Sequence, residues 1–73
     1  MTTMDEIAKL RTLVNYWIEH NKEHKQEFIE WAGKAKALGE TEACEEILAA
    51  AQEIDKANES LYRVLRKLEG KER

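Results

Sequence analysis

The chain contains no proline, and its only cysteine is Cys44. The first absence leaves long helices uninterrupted, and the second excludes an intramolecular disulfide. Glycine occurs three times, at Gly33, Gly39 and Gly70, so places for a tight turn are few. One cysteine and two histidines, His20 and His24, cannot build a Cys/His zinc cluster. A strong excess of either charge is missing too. Twelve basic residues face fifteen acidic ones, for a net charge of −3, which excludes a strongly basic nucleic-acid binder. No apolar run approaches the ~18–20 residues of a membrane span. No leader-like apolar segment opens the chain, and we expect a cytoplasmic protein. No nucleophile–base pair, glycine-rich phosphate loop or paired-carboxylate motif stands out, so no catalytic activity is expected.

What is present is helical. Hydrophobic residues make up 42% of the chain and charged residues 37%, with Ala, Glu, Lys and Leu abundant, the composition of long helices. Seventy-three residues read as a single helical domain over 1–73, and one core of that size is marginal unless something adds to it.

Thr3 and Glu6 have capping-box spacing, and Asp5 and Glu6 place negative charge at the positive end of a helix dipole. Ile7, Leu10, Val14, Trp17, Phe28, Trp31, Ala35 and Leu38 follow at alternating steps of three and four. Asn21 and His24 take the two stripe positions between Trp17 and Phe28. This predicts one helix over about 4–38, roughly 50 Å long. Gly39 supplies a left-handed stop, and the turn falls at 39–41. Thr41 is the expected N-cap of a second helix over about 42–69, with Glu42, Glu45 and Glu46 in its first turns. Its stripe runs Cys44, Ile47, Ala51, Ile54, Asn58, Leu61, Leu65 and Leu68, and Gly70 ends it. A three-helix bundle, broken near Asn21, is the alternative. The unbroken heptad phase argues against it.

Folded as an antiparallel hairpin about Glu40 and Thr41, the stripes pair in layers. The expected layers set Leu38 against Cys44, Trp31 against Ala51, Phe28 against Ile54, Trp17 against Leu65 and Val14 against Leu68. Asn21, His24 and Asn58 then form a polar core layer, of the kind that selects register at some cost in stability. Ala43, Ala50, Ala57 and Val64 recur every seven residues beside the main stripe of the second helix. Leu48 and Tyr62 flank its other side. Leu13, Ile18, Ile29 and Ala32 add to the first helix. One partner helix cannot cover all of this, and an uncovered hairpin would expose a long apolar patch. The expectation is a homodimer forming a four-helix bundle, with those six residues of the second helix at the interface. In that dimer a two-fold axis at the polar layer would bring two copies of Asn21, His24 and Asn58 together, and a partner protein's helix in the same groove is another reading.

His20 and His24 are four apart and share a helix face, half of a metal site. Nickel, cobalt and zinc all suit imidazole, with Asp55, Glu59 or a symmetry mate as further ligands. Against this stands the reading of His24 as a hydrogen-bonded core residue. The Glu-x-x-His spacing of di-iron bundles is missing. Cys44 reads as a small core residue near the turn, too far along the helix axis to join the histidines.

Trp17-Ile18-Glu19-His20-Asn21-Lys22-Glu23-His24, followed by Phe28, Trp31-Ala32 and Ala35, resembles a small uncharacterised helical domain of archaea and anaerobic bacteria. Its core reads W-I-E-H-N-x-x-H-x-x-x-F/Y-x-x-W-A, and the resemblance spans Leu10 to Leu68. Such segments accompany nickel-handling domains of the CooT type, which implies a link to metal homeostasis carried by His20 and His24. Many members have a histidine directly before the first tryptophan. Here Tyr16 stands there, which shortens an i, i+4, i+8 histidine ladder to two rungs.

Overall fold

A computed structural model describes residues 3–70, with side chains from residue 6 onward. Two helices account for nearly all of it, α1 (Thr3–Ala37) and α2 (Thr41–Leu68). They pack side by side as an antiparallel hairpin of 56 × 16 × 12 Å. The α1 helix runs through Asn21 without a break, so the three-helix alternative does not hold. The expected Thr3–Glu6 capping box lies outside the described side chains.

The turn is built by backbone hydrogen bonds around one glycine. Gly39 has φ +85°, a conformation that costs a side-chain-bearing residue heavily. Its N–H donates to the Lys36 carbonyl at 3.0 Å, and the Glu40 N–H donates to the Ala35 carbonyl at 2.9 Å. That is the pairing of a Schellman motif, which satisfies the last carbonyls of α1. Because the motif uses Gly39 and Glu40, α2 begins one residue earlier than expected. Thr41 is its first helical residue and not its N-cap. Glu40 holds the cap position, makes no side-chain cap bond, and accepts the Cys44 N–H on its carbonyl at 2.9 Å. The Gly70 expected to end α2 likewise has positive φ, at +82°.

The stripe expected for α2 faces α1. Cys44, Ala51 and Asn58 are buried, and Ile47, Ile54, Leu61, Leu65 and Leu68 are half-buried. The stripe expected for α1 is corrected by one helical step. Val14, Ile18 and Ala32 are buried and Asn21 and Phe28 half-buried, while Trp17 is 41%, Trp31 59% and Leu38 78% exposed. The contact seam therefore runs Ile7, Arg11, Val14, Ile18, Asn21, Lys25, Phe28, Ala32, Ala35. Every second member belongs to both stripes, and the two differ by a rotation of roughly 50° about the helix axis. Small and β-branched residues let two isolated helices approach closely. Two tryptophans in the seam would hold them apart, and on the flank their rings still cover its edge.

The register shifts with the rotation. Asn58 pairs with Asn21 and not with His24. The Asn21 Nδ2 donates to Asn58 Oδ1 at 2.9 Å, and the Asn58 Nδ2 donates to the Ile18 carbonyl at 3.3 Å. One layer along, Lys25 Nζ meets Asp55 Oδ1 at 2.8 Å. Both side chains of that pair are substantially exposed, so it contributes at most about 1 kcal/mol.

Candidate functional site

The seam divides the hairpin surface into two flanks. One is a polar groove lined by Lys22, Lys25, Gln26, Ile29, Asp55, Glu59 and Tyr62. The Lys22 ammonium is held above its ordinary range, first by a hydrogen bond to the Glu19 carboxylate and then by the Tyr62 hydroxyl. Steps of seven carry this edge of α2 from Tyr62 through Asp55 to Leu48. Ala43, Ala50, Ala57 and Val64 lie on the opposite edge of α2, beyond the buried Cys44, Ala51 and Asn58. On α1, Leu10, Trp17, His24 and Trp31, with Leu38 just past its end, likewise lie on the edge away from Lys22 and Ile29. The second flank therefore unites the exposed large residues of α1 with the small residues of α2. The structure separates the six residues expected at one interface into two sets, with Leu48 and Tyr62 on the polar side.

This apolar flank has a symmetry that heptad counting passes over. Along α1 and into the turn the order is Leu10, Trp17, His24, Trp31, Leu38, each seven residues apart and the same read backwards from His24. Along α2 the order Ala43, Ala50, Ala57, Val64 is nearly palindromic about residues 53–54. The Asn21–Asn58 and Lys25–Asp55 pairs set His24 level with residues 55–56. The two centres of symmetry thus lie within about 3 Å of each other along the hairpin, at 1.5 Å per residue. Leu10, Trp17, Trp31 and Leu38 were expected in the core, and their exposure in the structure makes them surface residues of this flank.

The histidines stand in the middle of the same flank. His24 is not a member of the polar core layer, since both imidazoles are 47% exposed. The rotation of α1 that brings Ile18 into the seam turns His24 out of it. An aromatic ladder climbs this edge. Tyr16 stacks on His20 at 5.5 Å between ring centroids, His20 meets His24 edge-on at 4.4 Å, and Phe28 follows at 6.4 Å. The two Nε2 atoms approach to 3.0 Å. Behind them, His24 Nδ1 lies 3.4 Å from a Glu27 carboxylate oxygen, and His20 Nδ1 lies 3.9 Å from one of Glu23. Asp55 and Glu59 do not join this pair, because both line the opposite groove. Among the described residues, no three or more His, Cys, Asp or Glu side chains converge to hold a metal ion. Cys44 is buried as a free thiol beside the turn, as a core residue should be.

Among the described residues, no helix is long and apolar enough to cross a membrane. No curated protein and no solved structure matched the chain. A family model does match it, over residues 10–68, which takes in the whole Trp17–Ala35 motif region, most of α1 and all of α2. The chain belongs to that family, a domain of unknown function designated DUF8180.

Proposed function

We propose that the protein is a non-catalytic helical-hairpin module that self-associates, two copies stacking their apolar flanks into a four-helix bundle. The observation that carries this reading is the palindromic order of that flank. A two-fold axis perpendicular to the helices and passing near His24 would lay Trp17 against Trp31 of the second copy and Leu10 against its Leu38. The same axis sets Ala50 against Ala57 and Ala43 against Val64, where small side chains permit a close helix–helix approach. A surface that complements itself in this way fits a second copy better than an unrelated helix.

The energetics agree. Among the described residues, the apolar side chains that the hairpin fully buries are Val14, Ile18, Ala32, Cys44 and Ala51, and two of these are alanines. A core this small needs further burial, and there is no disulfide to supply the difference.

Sedimentation equilibrium tests the reading. The wild-type chain should have twice the chain mass, and Ala50→Glu/Ala57→Glu should be a monomer or unfolded. Leu48→Glu, on the opposite groove, should leave the dimer intact. A double variant that stays folded at unchanged mass removes this face as the interface. A wild-type chain that stays monomeric favours a partner protein's helix instead.

A further inference from the structure

We propose that His20 and His24 form a bidentate clamp for a divalent first-row transition ion of the kind that prefers imidazole. Three features of the pair support it. First, the two Nε2 atoms are 3.0 Å apart. Two imidazole nitrogens bound to one ion at about 2.0–2.1 Å, at angles between square and tetrahedral, are about 2.9–3.4 Å apart. Secondly, both Nδ1 atoms lie toward carboxylates, Glu23 for His20 and Glu27 for His24. Histidine ligands commonly give their second ring N–H to a carboxylate, which fixes the tautomer and raises the basicity of the ligating nitrogen. The 3.0 Å contact is a hydrogen bond in which one imidazole donates and the other accepts, and an ion bound at both Nε2 atoms would take the place of that shared proton. Thirdly, both rings are half-exposed and reachable from solvent. Tyr16 and Phe28 cover the two ends of the pair and limit the rotamers of each ring.

The clamp supplies two protein ligands and leaves the other coordination positions to water. It is complete within one chain and does not depend on the dimer, although a second copy on the flank would bring its own histidines nearby.

Isothermal titration of tag-free, chelator-treated protein with zinc chloride decides the matter, with the mass of the same sample recorded before and after. We expect binding tighter than ~1 mM, equivalent to about −4 kcal/mol, at one ion per chain. His20→Ala and His24→Ala should each weaken it at least about tenfold. Alanine at these half-exposed helix positions leaves the fold intact, which circular dichroism checks. Glu27→Gln keeps both ligands and should weaken binding by about tenfold through the ring it orients. Absence of binding at millimolar zinc overturns the clamp, as does binding that both histidine variants retain. Either result can occur with an intact metal-free dimer, so failure of the clamp and failure of the assembly are told apart by the mass of the zinc-free sample.

Discussion

Asn21 donates a hydrogen bond to Asn58 across the helix pair at 2.9 Å, and Asn58 passes its own amide hydrogen to the Ile18 carbonyl. Asn58 is 7% exposed and is the buried polar residue of the described chain. Its partners are what make that burial tolerable, because an unpaired buried amide costs about 1–3 kcal/mol. Asn21→Ala should therefore lower unfolding stability by about 1–3 kcal/mol, read as a lower urea midpoint with unchanged slope. Replacing both asparagines by leucine should recover much of the stability while loosening the choice of register and partner. Native mass spectrometry reads the second effect as a broader distribution of oligomers.

The exposed tryptophans make association visible. In the proposed dimer Trp17 and Trp31 leave water together, so their fluorescence should shift to shorter wavelength as concentration rises. It should return to longer wavelength on dilution. An emission maximum independent of concentration, in a sample whose mass does change, would place the interface elsewhere.

Two glycines should respond in opposite directions. Gly39 holds φ +85° in the turn, so Gly39→Ala should destabilise the chain by about 1 kcal/mol or more. Gly33 lies inside α1 with open space around an added methyl group. Gly33→Ala should stabilise by about 0.5–1 kcal/mol, since alanine loses less backbone freedom in a helix. Paired thermal melts decide both.

Cys44 offers a probe of opening. Its thiol is buried against the seam near the turn. Alkylation by a neutral maleimide should be slow in native buffer and should accelerate in parallel with global unfolding by urea. Fast labelling under native conditions would show that the turn end of the hairpin opens on its own.

Much of this architecture was legible in the residues themselves. The three–four spacing and the absence of proline called for two long helices, and Gly39 called for the turn between them. The α2 stripe from Cys44 to Leu68 was readable because one of its faces is plainly better than the others: Cys44, Ala51 and Asn58 lie at its centre with branched residues beside them. The α1 seam was not, because Leu10, Trp17 and Trp31 make a stripe as regular as Ile18, Lys25 and Ala32 do. Apolar spacing ranks the first stripe above the second, since the second contains a lysine. Side-chain size reverses that order once a second helix must fit against it. The histidine pair shows the same division. Their spacing placed His20 and His24 on one face, but not which way that face points.

The sequence by itself determined that this chain forms two helices, that they fold back on each other near Gly39, and that apolar surface is left over. These are local or periodic properties, decided by backbone propensity, turn stereochemistry and the 3.6-residue repeat. Only the tertiary structure decided the rotation of α1 about its own axis. A rotation of roughly 50° separates two stripes with the same spacing, and close packing selects between them by volume. That choice puts Asn21 opposite Asn58, turns Trp17, Trp31 and both histidines outward, and gathers them on one flank with the alanines of α2.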